Sequence, residues 1–290
     1  MGERLSALAN VSATREILEA HGLATKKALG QHFLINDGIV KHICDLAELQ
    51  PQDDVLEIGP GVGTLTVALL QRAGRVVAIE RDTDLPPVLA QTTAEWADCF
   101  TLINRDALEV APHDLPFAPR KLVSNLPYAV AATLVLDYFE RFESLGQATV
   151  MVQAEVADRM AAKVGTKNYG AFTVKLALFA QPSGRFQVSP GNFFPPPRVN
   201  SSVLRLDRVD SGLSTQDRAA TMRMADAAFT NRRKTISNSC RTYFAQVPDA
   251  ADLLATAFER AGIDPRRRGE TLTLDEFKAL GCAARACGLL

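Results

Sequence analysis

The sequence predicts an α/β fold in which a parallel sheet is covered by helices on both faces, followed by a small all-helical domain. Three observations predict it. Short β-type runs alternate with helical ones between Val55 and Gln153; a glycine-rich turn, Gly59-Pro60-Gly61-Val62-Gly63, joins the first of those strands to its helix; and after Asp207 the strand pattern stops and helical periodicity takes over. Strands that alternate with helices need crossover connections, which pair them in parallel and bury both faces.

The elements follow in order. A helix over about Ser12–Ala20 is expected, with Ser12 or Thr14 near its cap and Gly22 ending it. A basic, loop-like stretch runs from Lys26 to Leu34, and a second helix over about Asp37–Ala47 places Ile39, Ile43 and Leu46 at helical spacing. Val55–Ile58, Arg75–Ile79, Phe100–Ile103, Lys121–Ser124 and Ala148–Gln153 read as strands. Thr64–Gln71, Leu85–Thr92 and Thr133–Phe142 read as helices, with Pro86 and Pro87 tolerated in a first turn. Gln187–Pro190 and Ser201–Leu206 form a terminal hairpin around the proline loop Phe193–Pro197. Ser214 and Asp217 signal the cap of a long helix through about Asn238, and helices over Ala250–Ala261 and Thr273–Leu280 complete the chain. The expected organisation is residues 1–25 as a helical extension, 26–208 as the α/β domain and 209–290 as the helical domain.

Composition narrows the class. Hydrophobic residues make up 47% and charged residues 22% of 290 positions, which fits one or two folded domains and excludes a disordered chain. Five scattered cysteines without a C-x-x-C pair support neither a disulfide framework nor a zinc site, so no metal is expected and a reducing cytoplasm is the expected location. No run of about 18 apolar residues is present to span a membrane. Met1-Gly2 with Ser6 matches a myristoylation pattern, too short a match to carry weight. The net charge of −1 gives no general attraction to a polyanion, but it conceals a local cluster, Arg232-Arg233-Lys234 with Arg241, and a second run at Arg266–Arg268.

Chemistry is concentrated at strand ends. A dinucleotide-binding loop has the spacing G-x-G-x-x-G, which aims a helix N-terminus at a pyrophosphate. Here the third glycine comes one position early, the form typical of enzymes that use S-adenosyl-L-methionine, a cofactor without phosphate. Glu80, about twenty residues beyond Gly59, stands where an acid accepts hydrogen bonds from ribose hydroxyls. Asp106, after the next strand, is placed to accept from an adenine amino group. Asn125-Leu126-Pro127-Tyr128 follows the fourth strand. The exocyclic amine of adenine is a poor nucleophile because its lone pair is delocalised. Accepting both of its N–H bonds, on the Asn125 side-chain oxygen and the Leu126 carbonyl, favours a pyramidal nitrogen aligned with the donor methyl. Pro127 fixes the turn, and Tyr128 can stack on a base that has left its own stack. Phe193 is expected to close the opposite face of that base, with core packing of Phe193 or Phe194 as the alternative.

With these residues in view, the sequence resembles the ribosomal RNA adenine dimethyltransferases, on the side of the bacterial small-subunit (adenine-N6,N6) enzymes. The resemblance is carried by Leu29–Leu34, Glu57–Gly63, Asn125–Tyr128, Phe193–Val203 and Phe229–Thr235. It implies a Rossmann-like class I methyltransferase sheet and two methyl transfers to each of two adjacent adenines near the 3′ end of small-subunit rRNA, within an immature 30S-type particle. It further implies cofactor contacts at His32, Leu34, Gly59, Glu80, Asp106 and Asn125, with His32 departing from the Asn often found there. Arg232, Arg233 and Lys234 are implied to contact RNA, and a monomer is expected. Competing readings are a resistance-type methyltransferase of large-subunit rRNA, a nicotinamide-dependent dehydrogenase and a non-catalytic assembly factor. The first is disfavoured by the proline triplet with Arg198-Val199 and by the Arg-Arg-Lys run. The second would need the later third glycine and a catalytic His, Lys or Tyr in the second half, and all four histidines lie in the first half.

Overall fold

The computed structural model describes residues 4–26 and 31–290, so Met1-Gly2 and the Lys27–Gly30 part of the basic stretch lie outside the described residues. The chain divides into two compact units: Met1–Ala157 with Pro182–Arg208, and Asp158–Gln181 with Val209–Leu290.

Nine strands among the described residues, with the helices between them other than α7, which belongs to the second unit, build the first unit. In chain order these are α1 (Val11–Ala20), β1 (Phe33–Leu34), α2 (Asp37–Leu46), β2 (Asp54–Ile58), α3 (Thr64–Leu70), β3 (Arg75–Glu80), α4 (Pro86–Thr92), β4 (Phe100–Asn104), β5 (Lys121–Asn125), α5 (Ala131–Arg141) and β6 (Gln147–Gln153). After α6 (Ala154–Met160) and α7 (Ala171–Ala177) come β7 (Ala180–Val188), β8 (Phe193–Phe194) and β9 (Ser201–Arg208). Seven strands form one sheet in the order β4-β3-β2-β5-β6-β9-β7. The pairs β4–β3, β3–β2, β2–β5 and β5–β6 are parallel, and β9 lies antiparallel to β6. Val76–Glu80 and Gln147–Val152 are buried at every position. Strands buried on alternate sides at once need helices on both faces, as the sequence predicts.

Chain direction reverses its progress across the sheet between β2 and β5, and there the ladder is incomplete. Only Val55 with Lys121 and Leu56 with Leu122 are in register. Beyond them the buried Ser124 hydroxyl fills the gap, donating to the Ile58 carbonyl at 2.5 Å and accepting the Ile58 N–H at 3.3 Å. The carboxyl ends of β2 and β5 therefore part around a crevice, the place where open α/β sheets bind ligands.

Two short strands settle the front of this unit. β1 pairs antiparallel with β8, Phe33 opposite Phe194 and Leu34 opposite Phe193. The N-terminal segment packs behind them. Asn10, rather than Ser12 or Thr14, caps α1 by accepting the Ala13 N–H at 2.8 Å. Leu18 lies in one apolar cluster with Phe33, Val62, Leu85 and Val88, while the Asp37 carboxylate accepts the backbone N–H groups of Leu5 and Ser6.

The second unit is helical: α8 (Thr215–Phe229), α9 (Ile236–Tyr243), α10 (Ala250–Ala261) and α11 (Leu274–Ala286) enclose a core of Met224, Ile236, Phe244, Leu254, Phe258, Phe277 and Leu280. It also takes in Asp158–Gln181, residues that the sequence reading places in the 26–208 domain, because Tyr169 and Val174 pack into that same core and the Tyr169 hydroxyl donates to the Leu272 carbonyl at 2.9 Å. The single long helix expected through Asn238 is two helices. Thr235 caps α9, accepting the Asn238 N–H, and the Ile236 N–H donates to the Arg267 carbonyl at 2.7 Å, so Asn231–Lys234 form a turn and not a helical face.

Candidate active site

A cavity of about 540 Å³ occupies the crevice at the carboxyl ends of β2, β3, β4 and β5. It is lined by His32, Phe33 and Leu34 on one side, Glu57–Gly61 beneath, Glu80 and Asp106 at the strand ends, and Asn125–Val130 opposite. His32, Leu34, Gly59, Glu80, Asp106, Asn125, Leu126 and Tyr128 thus converge, from segments far apart in the chain.

The glycine turn leaves room by doing without side chains. Gly61 has φ of +61°, and a Cβ there would sit 3.0 Å from the Phe33 ring. Only glycine combines that backbone with that approach. The loop is fastened to the next strand because the Gly61 N–H donates to Glu80 Oε2 at 3.3 Å, while Glu80 Oε1 accepts the Asp82 N–H at 2.8 Å. Burial raises the Glu80 carboxyl above the ordinary range, and these backbone donors offset part of the rise. Asp82 in turn anchors both flanks of the basic stretch, with Lys26 Nζ at 2.5 Å and Gln31 Nε2 at 2.7 Å. Asp106 accepts the Leu108 N–H at 3.0 Å and faces Arg81 at 3.4 Å. Glu57, buried below the loop, has its carboxyl pushed up to about 8, mainly by burial, and accepts from the Thr66 hydroxyl at 2.7 Å.

Opposite the acids, Asn125 Nδ2 donates to the His32 carbonyl at 3.1 Å. That bond fixes which way the amide points. Among the described residues nothing in the chain donates to Asn125 Oδ1 or to the Leu126 carbonyl, although the Leu126 N–H is held by Met151 at 3.1 Å. Two acceptors therefore stand free at one wall. Tyr128 is framed on both sides: its ring stacks on His32 (centroids 5.7 Å apart, 27° between planes), and its phenol lies 2.5 Å from Ser201 Oγ. His32 Nδ1 is 2.7 Å from the Pro195 carbonyl, which can only accept, so Nδ1 carries the proton.

Phe193 is not brought to the cavity. It is 2% exposed and packs with Leu34, Val40, Ile43 and Val203 in the core, because its pairing with Leu34 turns it inward. The reading of Phe193 as a base-facing residue is therefore corrected. Its neighbour Phe194 is half-buried, with the Arg15 guanidinium 4.8 Å from its ring centre. Phe33, Ser124, Gln153 and Ser201, to which the sequence reading gives no role of their own, take part: Phe33 and Gln153 line the cavity, Ser124 bridges β2 and β5, and Ser201 meets the Tyr128 phenol. Phe33 and Ser201 lie within the runs that carry the family resemblance, whereas for Ser124 and Gln153 the only signal is position at or beside a strand end.

The residues present fit S-adenosylmethionine: a turn without Cβ atoms at Gly59 and Gly61, two strand-end acids, Glu80 and Asp106, able to accept hydrogen bonds from a nucleoside, and a volume suited to a nucleoside-sized ligand. The sheet order, the crevice and these strand-end acids define a class I S-adenosylmethionine-dependent methyltransferase. Comparison with known proteins carries this further. The sequence profile of the ribosomal RNA adenine dimethylases matches residues 22–273, and the chain belongs to that family. It is 37% identical over 289 residues, 97% of its length and 99% of the relative's, to a Streptococcus pneumoniae protein named ribosomal RNA small subunit methyltransferase A. Among solved structures it is similar to a dimethyladenosine transferase from Plasmodium falciparum (TM-score 0.77, 25% identity, 89% of this chain and 98% of that one). The 23S rRNA methyltransferase ErmE shares the fold at TM-score 0.64 and 24% identity, over 87% of this chain and 99% of that one.

Proposed function

We propose that this chain transfers methyl groups to the N6 atoms of two adjacent adenines in the 3′-terminal hairpin of small-subunit rRNA, as a monomer in the cytoplasm acting on an immature small-subunit particle. The observation that carries the chemistry is the pair of free acceptors, Asn125 Oδ1 and the Leu126 carbonyl, beside a stacked tyrosine. The choice of RNA is supported by whole-length likeness to proteins named for the small subunit.

In this reading His32, Leu34, Gly59, Glu80, Asp106 and Asn125 hold the cofactor, which supplies a sulfonium methyl open to displacement. Asn125 Oδ1 and the Leu126 carbonyl accept the two N–H bonds of the target amine and aim its lone pair. Tyr128 stacks on the flipped base. Burial keeps its phenol above the ordinary value, so it stays neutral and acts through its ring. Positioning supplies most of the acceleration. The proton leaves the amine after transfer, so no strongly shifted general base is needed.

Arg233 and Lys234 are exposed and make no ion pair among the described residues, which suits phosphate contact. Arg232 is engaged, with Glu270 at 3.0 Å and the Thr166 carbonyl at 3.1 Å, so its share in RNA binding requires exchange of those partners. The test is transfer of labelled methyl groups to immature small subunits by wild type and Asn125→Ala, with dimethyladenines mapped on both rRNAs of a deletion strain. Loss confined to the large subunit would overturn the assignment. Unchanged subunit maturation with Asn125→Ala would favour a docking role.

A further inference from the structure

A second concavity, about 410 Å³, opens beside the first and shares a wall with it, Gln153 at the end of β6. Ala154, Glu155, Pro190 and the run Arg198-Val199-Asn200 complete its lining. The segment that carries this run is tied at both ends to the rings framing the catalytic wall. Upstream, the Pro195 carbonyl receives His32 Nδ1; downstream, Ser201 Oγ meets the Tyr128 phenol. The Asn200 carbonyl also accepts the Ala154 N–H at 2.9 Å. Between these ties, Arg198, Val199 and Asn200 are all exposed. Val199 shows 46% of its surface, among the largest exposures of any large apolar residue described, and Arg198 makes no ion pair among the described residues.

An apolar shelf beside a free guanidinium, one residue away from a cavity built for a nucleobase, has the chemistry of a nucleotide site: an apolar surface for the base to rest against and a cation for the phosphate. We infer that this concavity seats the nucleotide adjoining the target adenine, its base against Val199 and Pro190 and its phosphate on Arg198. The inference rests on the RNA substrate proposed above. A base drawn out of its stack leaves its neighbour with one face bare, and a shelf beside the catalytic cavity covers that face. Glu155, in the same lining, disfavours phosphate beside its own carboxylate, which can instead accept from an amino-bearing base.

The test uses the full chain, wild type, Arg198→Ala, Arg198→Lys and Val199→Ser, with immature small subunits as substrate and calorimetry for cofactor affinity. Arg198→Ala is expected to raise KM for the subunits by roughly five- to tenfold and to make the dependence of log affinity on log salt shallower by about one. Arg198→Lys restores most of the salt slope, and Val199→Ser raises KM about threefold with the slope unchanged. Cofactor affinity stays at the wild-type value in all three. An Arg198→Ala variant with wild-type KM and salt slope overturns the inference, as does a loss of cofactor affinity, which would make these residues supports of the first cavity. Wild-type protein that methylates no small-subunit RNA instead overturns the substrate reading beneath it.

Discussion

The Asn125 side-chain amide donates to the His32 carbonyl at 3.1 Å, joining the end of β5 to the residue before β1. One side chain thereby ties two walls of the cavity together and leaves its own oxygen facing inward. Replacing Asn125 by Ala removes both the tie and one acceptor, and the methyl-transfer rate should fall at least about 10²-fold, since small misplacements of reacting groups cost that much. Asn125→Asp keeps an acceptor but loses the donor to His32, so single-turnover rates should place it between the two. A rate equal to wild type in either variant would remove Asn125 from the site.

Ser201 and Tyr128 act as a unit. Ser201→Ala leaves the Tyr128 phenol without its partner, a loss of about 1 kcal/mol of ordering. Single-turnover methylation should slow severalfold, and Tyr128→Phe in the same background should slow it little further. Additive losses in that double-mutant cycle would show that the bond does not position the ring.

Gly61 tolerates no side chain. With φ of +61° and a Cβ 3.0 Å from the Phe33 ring, Gly61→Ala should cost about 1–2 kcal/mol for the backbone alone and weaken cofactor binding besides. Denaturant titration and calorimetry read the two effects separately. Gly22→Ala is the control: its φ is +65° with nothing within 4 Å, so it should lose stability without losing cofactor affinity.

Glu57 predicts a pH dependence of stability. Its carboxyl, raised to about 8 by burial, holds a proton in the folded state that the unfolded chain releases near pH 4. The folded state binds more protons across that window, so this group's contribution is full below about pH 4 and is lost as pH rises through about 8. Glu80, raised by the same cause, adds in the same direction. Urea unfolding between pH 5 and 8 should therefore show a shallower decline for Glu57→Gln than for wild type; an identical decline would mean that Glu57 is ionised in the fold.

In the helical unit, Gly281 is the contact point of α11 with α8. A Cβ there would lie 2.6 Å from the Thr221 Cα, against backbone that cannot yield. Gly281→Ala should destabilise the protein by at least about 1–3 kcal/mol, the usual cost of overpacking, read as a lower denaturation midpoint.

The sheet and its strand-end residues were legible because strand, turn and helix repeat at regular intervals. Glu80 and Asn125 close strands of that repeat, and Gly59 and Asp106 stand just beyond the ends of two others. What was not legible depends on contacts without local signal. Phe193 and Phe194 are adjacent aromatics in an extended segment, and only the pairing with Phe33-Leu34, about 160 residues earlier, decides which one turns inward. The break between α8 and α9 contains neither glycine nor proline, being set by the Thr235 cap and by Ile236 bonding to the Arg267 carbonyl. Residues 158–181 read as a continuation of the α/β domain because nothing in their composition announces that Tyr169 and Val174 join a core built mostly after residue 220.

The seam between β2 and β5, bridged by the Ser124 hydroxyl where the ladder stops, has a practical corollary for redesign. A sheet opened at one joint, with its other ladders intact, separates the parts that must stay fixed from the parts that can be exchanged. The loop leaving Asn125 is the exchangeable part, since substitutions there alter what the crevice accepts without touching the ladders, whereas the loop leaving Ile58 is held by Gly61 against Phe33 and by Glu80 and belongs with the fixed parts.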